Sequence, residues 1–163
     1  MMEPEQLGLL IDTHGLALVL YARQWCATPE DVVQVAFLKL SNHRPTPAEI
    51  KPWLYRVVRN GAMTAGRAER RRRHHEGTAA GVAPWFAPVE SSRLDAAMAT
   101  DALAKLPLDE REVIVAHLWG GLTFEQIAPL IGLSAATAYR RYLSGLKALR
   151  EHLEAPCSTH RTL

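Results

Sequence analysis

Apolar residues recur along this chain at three- and four-residue intervals, and that spacing limits what it can become. Leu7, Leu10, Ile11, His14, Leu18 and Tyr21 form one stripe. Val33, Ala36, Phe37 and Leu40 form a second, and Ile50, Trp53, Leu54, Val57 and Val58 a third. An α-helix brings positions three and four apart onto one face, whereas a strand alternates every second residue. No stretch keeps the two-residue alternation long enough to count as a strand. The chain is expected to be all-α.

Prolines, glycines and caps divide these helices. A turn is expected near Thr28-Pro29, with Glu30 and Asp31 in the first turn of the second helix, where carboxylates suit the positive end of the dipole. Arg44-Pro45-Thr46-Pro47 breaks the pattern, and Pro52 is tolerable only near the start of the third helix. From Gly77 to Ser92 the stripe lapses amid Gly81, Pro84 and Pro88, which predicts a flexible linker over 77–93. Trp85 and Phe86 within it suit docking on a partner or, as is commoner, packing on a neighbouring helix. Two small helical domains follow from this division, 1–76 and 94–154, with a frayed tail at 155–163. Each has a thin core by itself.

In the rear domain the stripe resumes at Leu94, Met98, Ala102 and Leu106, up to Pro107. A short helix then turns Val113, Ile114 and Leu118 inward and stops at Gly120-Gly121. Thr123-Phe-Glu-Gln126 fits a capping box, in which the threonine hydroxyl accepts from the Gln126 amide and the glutamine side chain reaches back. Gly132 suits the left-handed turn that ends this helix, and Ser134 caps the last one, which runs to about Leu153.

The small net charge of +2 conceals a pattern: residues 41–76 carry +6 and 135–163 carry +3, separated and preceded by acidic stretches. Two basic islands suggest two sites for a polyanion, although solvated faces give the same pattern. No apolar run approaches the ~20 residues needed to span a bilayer, so no stable membrane insertion is expected. The Met1-Met2-Glu3-Pro4-Glu5 start lacks the basic region of a secretory signal. Two cysteines, Cys26 and Cys157, make no disulfide framework, and a cytoplasmic location is expected. Cys26 reads as a small core residue, and Cys157 as an exposed thiol in the tail.

The seven histidines are scattered, no pair fits a zinc helix, and no glycine-rich phosphate loop occurs. Neither an enzyme nor a cofactor is expected, and Asp109, Glu110 and Glu112 read as a helix N-terminus rather than a catalytic pair.

Thr123 to Arg150 is the most informative span. Two helices joined at Gly132-Leu133-Ser134 make a helix-turn-helix, held together by Ile127, Leu130, Leu133, Ala138 and Tyr142. The early residues of its second helix, Ala135, Ala136, Thr137, Tyr139, Arg140 and Arg141, are then placed for a major groove. Arginine can grip guanine through two parallel hydrogen bonds or anchor a phosphate. A helical hairpin with exposed basic residues and no ligand is the plainer alternative. A second basic site runs from Asn60 to Arg73 with Arg67, Arg70, Arg71, Arg72 and Arg73, preceded by Arg56 and Arg59. Dense guanidinium charge near Trp53 and Tyr55 suits partly melted DNA, where aromatic faces can stack on bases. Core packing is the expected role of Trp53 itself.

Glu30-Asp31-Val-Val33-Gln34-x-x-Phe37-Leu-Lys-Leu, then Trp53-Leu-Tyr-Arg-Val-Val-Arg59-Asn60 with its arginine run, resembles the second conserved region of small sigma factors. Leu106-Pro107, Arg111-Glu112-Val113, Gly121-Leu-Thr-Phe-Glu125-Gln-Ile127-Ala128 and Gly132-Leu-Ser134-x-x-Thr137 resemble their fourth. The order, with no further domains, is similar to the extracytoplasmic-function (ECF) type of the sigma-70 family. The resemblance implies that Asp31 and Gln34 dock on the clamp helices of the largest subunit of core RNA polymerase. It implies that Asn60 holds a base flipped from the −10 element of promoter DNA, with Arg59, Arg67 and Arg70 to Arg73 along that DNA. It assigns the −35 element to Ala136, Thr137, Tyr139, Arg140 and Arg141. It also implies an anti-sigma factor as partner.

The chain departs from the family at several places. Val35-Ala36 stands where Glu-Thr is usual, and Thr64 where aspartate is common. Gly61 and Gly66 are expected to loosen their helix. Pro129 costs ~3 kcal/mol unless its helix bends or ends early, and Gly145 roughly 1 kcal/mol of helix propensity. Two other functions fit parts of the pattern: a helix-turn-helix regulator that never binds polymerase, and a helical interaction protein without DNA.

Overall fold

The computed structural model describes residues 2–77 and 101–154. The expected linker beyond Gly77, with Trp85 and Phe86, the stripe positions Leu94 and Met98, the tail and Cys157 lie outside the described residues. Every regular element among those described is helical.

Helix α1 spans Pro4–Ala22, α2 Pro29–Asn42 and α3 Ile50–Glu76. Proline opens α1 and α2, where its missing amide proton is no loss. Glu30 and Asp31 lie in the first turn of α2, and Gly77, in the left-handed conformation with φ 64°, ends α3. These three front helices pack on one another. The rear helices are α4 (Leu108–Ile114), α5 (Phe124–Ile131) and α6 (Ala135–Glu154), preceded by helical residues 101–104. Helix α6 packs on both α4 and α5.

Between α4 and Gly120 the chain widens into a π-helical turn, Val115–Trp119. This corrects one expectation. Val113 and Ile114 face inward as the stripe predicts, but Leu118 is 51% exposed. The wider turn changes the phase of the helix, so Val115 and Ala116 are buried in its place. Leu133 is also turned outward, at 36% exposure, because the chain reverses at Gly132 just before it. Ile11, although on the α1 stripe, is exposed as well, and that helix buries chiefly Leu18, Tyr21 and Ala22.

The glycines expected to loosen helices instead permit close approach. A Cβ on Gly66 meets the backbone carbonyl of Trp25, and one on Gly61 lies 3.1 Å from Val32 Cγ1. In the rear unit, a Cβ on Gly145 comes within 2.6 Å of Ile114 Cδ1 and 3.3 Å of Glu110 Cβ. Helix α6 therefore lies directly on α4 at a position where an alanine methyl requires the Ile114 side chain to shift. Pro129 stays inside α5, which ends two residues later at Ile131. Pro129 and Glu125, whose carbonyl loses its amide donor, are both exposed, so water can replace the lost bond.

The buried residues form one cluster rather than two thin cores. Leu18, Tyr21, Leu54, Tyr55 and Val58 of the front helices join Val113, Ile114, Val115, Leu122 and Ile127 of the rear ones. Cys26 is buried as expected, with its Sγ 3.6 Å from the Ala22 carbonyl, and burial raises its pKa. No helix among the described residues is long and apolar enough to cross a membrane.

Candidate nucleic-acid interface

The rear motif is built from its caps. Thr123 Oγ1 accepts from the Gln126 amide at 3.2 Å, and Gln126 Oε1 accepts from the Thr123 amide at 3.0 Å, the reciprocal pair expected of the capping box. Gly132 takes the left-handed conformation at φ 71°. Ser134 Oγ accepts from the Thr137 amide at 3.2 Å and fixes the first turn of α6. Thr137 Oγ1 lies 2.9 Å from Ser134 Oγ and accepts from Arg140 Nη2 at 3.0 Å. Ala136, Tyr139 and Arg140 are exposed, while Thr137 and Arg141 are half-buried. Arg141 leans towards Asp109 at 3.6 Å.

Aromatic rings hold this surface from below. His117 stacks on Phe124 with centroids 4.4 Å apart, and Tyr139 and Tyr142 meet Phe124 at 5.3 Å each. His117 Nδ1 lies 2.7 Å from the Leu122 carbonyl, which locks the ring in place. His117 and Phe124 were not among the residues expected to brace the motif. Their spacing crosses the Gly120-Gly121 turn, which helical periodicity does not bridge.

The front site lies along the second half of α3. Asn60, Arg67, Arg70, Arg71 and Arg72 are exposed and Arg73 is half-buried. Helical geometry places Asn60, Arg67 and Arg71 on one face. None of Arg67 or Arg70 to Arg73 makes an ion pair among the described residues. The acid within the run, Glu69, instead accepts the Ala27 amide at 3.2 Å with both oxygens. The guanidinium groups are left to solvent or to a polyanion.

On α2, Asp31 and Gln34 are exposed on the outer face with Val35 and Leu38. Gln34 borders a shallow apolar groove lined by Leu7, Ile11, Val19, Phe37 and Leu38. Trp53 is half-buried and meets His43 edge-on at 5.1 Å, consistent with its expected packing role.

Arg59 differs from the other arginines. Its Nε donates to Glu112 Oε1 at 2.6 Å and its Nη2 to Oε2 at 3.3 Å, and its Cζ lies 5.8 Å from the centroid of the Trp25 ring. Tyr21 Oη donates to the same Glu112 oxygen at 2.7 Å. Hydrogen bonding to Glu112 raises the Arg59 pKa. Burial, and then the Glu112 charge, push the Tyr21 hydroxyl well above its ordinary value. Glu112 is therefore more than part of a helix N-terminus: it joins rear helix α4 to front helices α1 and α3. No local pattern announces a contact between residues this far apart in sequence.

An all-helical chain with an exposed arginine helix and a capped helix-turn-helix defines a DNA-binding protein of transcription. Residues 10–72 match the family model for sigma-70 region 2, and residues 96–149 that for sigma-70 region 4. The chain is 31% identical over 154 residues to the ECF RNA polymerase sigma factor SigL of Mycobacterium tuberculosis, spanning 89% of this chain and 87% of that one. It is 34% identical over 135 residues to the RNA polymerase sigma factor CarQ of Myxococcus xanthus, spanning 78% and 75%. Its fold is similar to that of CnrH in complex with the cytosolic domain of CnrY, with a TM-score of 0.63 and 25% identity over 94% of this chain and 91% of that one. It is also similar to that of the sigma factor RpoE bound to the anti-sigma factor NepR from Bartonella quintana, with a TM-score of 0.69 and 24% identity over 90% and 94%. The chain belongs to the sigma-70 family, in its extracytoplasmic-function type: it is an RNA polymerase sigma factor, a transcription initiation factor.

Proposed function

We propose that the front unit, residues 1–76, binds core RNA polymerase and the −10 element, and that the rear unit, 94–154, reads the −35 element. Residues 77–93 then serve as the linker and 155–163 as the tail. In this reading Asp31 and Gln34 meet the polymerase clamp helices. Asn60 holds a flipped base, and Arg59, Arg67, Arg70, Arg71, Arg72 and Arg73 follow the adjoining backbone. Ala136, Thr137, Tyr139, Arg140 and Arg141 face the duplex. The chain supplies binding energy that selects a promoter and holds its strands apart, while catalysis stays with the polymerase. It acts in the cytoplasm, and an anti-sigma factor holds it inactive.

The observation that carries this reading is the pairing, on one chain, of an arginine face without carboxylate partners among the described residues with a capped reading helix. Reconstitution with bacterial core polymerase and run-off transcription across genomic DNA tests it. Initiation at a limited set of sites sharing two spaced elements is expected. Binding to duplex DNA without any binding to core polymerase would replace it with a lone helix-turn-helix regulator.

A further inference from the structure

Glu112 is 5% exposed, and it is the buried charged side chain of the described residues. It lies where front and rear helices meet, and both of its oxygens are engaged from the front: Oε1 by Tyr21 and by Arg59 Nε, Oε2 by Arg59 Nη2. Weaker clasps flank it. Lys51 Nζ donates to the Gly121 carbonyl at 3.2 Å and Gln126 Nε2 to Glu49 Oε1 at 3.4 Å. Gly120 approaches Tyr55 so closely that an added Cβ lies 2.5 Å from the phenol oxygen.

A planar guanidinium gives its paired donors to one oxyanion at a time. While Glu112 holds Arg59, a DNA phosphate cannot take that fork. Among the described residues, the neighbouring Asn60 and the arginines further along α3 carry no such partner. A buried ion pair also suits a reversible joint. The pair is set in the apolar seam that joins front and rear helices; when the units part, both charges regain water, which offsets much of the lost attraction and leaves the apolar contacts as the main resistance to opening.

We propose that the Tyr21–Glu112–Arg59 contact is an autoinhibitory latch, which holds the rear unit against the front unit and withholds Arg59 from promoter DNA until the units separate. The proposal rests on the reading of Arg59 as a −10 residue. Closed, the chain offers an incomplete −10 surface. Open, the same guanidinium turns to DNA, and the rear unit is free to reach a second element upstream.

Spin labels at the exposed positions Asn42 and Lys147, in the full chain carrying Cys157→Ser, report the separation of the units by pulsed electron resonance. Fluorescence anisotropy with labelled single-stranded DNA of mixed sequence reports the −10 surface. The wild-type chain is expected to give one narrow distance distribution. Glu112→Gln broadens it towards longer distances and tightens DNA binding about tenfold, as expected when the binding-competent fraction rises from a minority. Tyr21→Phe, which removes one hydroxyl and keeps the ring, moves both readings the same way by a smaller factor, and circular dichroism verifies that each variant keeps its helices. Wild-type distances and affinity in both variants overturn the latch. If Glu112→Gln opens the chain without tighter binding, Arg59→Ala in that background separates the two failures. A loss of affinity there means that Arg59 holds DNA but was never withheld, which overturns the inhibition. No loss means that the DNA role of Arg59 has failed while the joint itself stands.

Discussion

The two basic surfaces present arginine in opposite ways. Along α3, Arg67 and Arg70 to Arg73 project without carboxylate partners among the described residues, and the one acid among them is turned away to the Ala27 amide. At the start of α6, Arg140 is held by Thr137, Thr137 is held by Ser134, and Tyr139 rests against Phe124. A row of loosely held charges follows a backbone of any sequence. A charge braced within a hydrogen-bond chain meets one position and penalises others. The front surface is therefore suited to affinity and the rear to discrimination.

Removing the front charges should produce the largest change in DNA binding. Replacing Arg70, Arg71, Arg72 and Arg73 together with alanine is expected to weaken single-strand binding on the order of a hundredfold and to lower the slope of log affinity against log salt by about three. A salt titration by anisotropy measures both, and an unchanged slope would show that these side chains do not neutralise phosphate. The close-approach glycines are next. Gly66→Ala forces a methyl group against a backbone carbonyl that cannot move aside, and about 3 kcal/mol of stability is expected to be lost. Gly145→Ala meets chiefly the end of the flexible Ile114 side chain, so its cost is expected nearer 1 kcal/mol. Chemical denaturation of both variants ranks them, and a reversed order would mean that the rear unit is the more tightly packed.

The same glycines mark the boundary of what the sequence discloses. Signals carried within one turn of helix are legible: the Thr123–Gln126 box, the left-handed Gly132, the Ser134 cap and the prolines opening α1 and α2. The exposed arginines of α3 and the polar face of α2 are legible too, because helical period alone sorts them. What depends on a distant partner is hidden. Gly66 and Gly145 look like weak helix formers until the neighbour that needs their missing Cβ is in place. Glu112 looks like a dipole-compensating acid until Tyr21 and Arg59 close on it. Leu118 misleads for a different reason, since a π-helical turn changes the phase on which the stripe was read.

At the rear surface a single residue should suffice. Arg140→Ala is expected to cost about 1–3 kcal/mol on the −35 duplex selected in run-off transcription, with relaxed preference at one base pair. Competition with duplexes changed at each position checks this. Equal loss on every duplex would make Arg140 a phosphate anchor, and the contrast between braced and unbraced arginines would lose its meaning for function.

The smallest expected effect concerns pH and belongs to the front unit. His14 on α1 is half-buried, and burial, with the Lys51 charge adding to it, lowers its pKa below the ordinary 6.5. The folded chain thus binds this proton less readily than the unfolded chain. Its contribution is fully present above pH 6.5, declines as pH falls towards the lowered value, and declines no further below it. Melting temperature is therefore expected to drop modestly as acid is added through that window, and His14→Gln should flatten this part of the curve. Hydrogen exchange locates the effect: amides of α1 and of α3 near Lys51 should lose protection before those of α5 and α6. Faster exchange in the rear helices instead would place the acid-sensitive group there, and the front unit would no longer be the one that titrates.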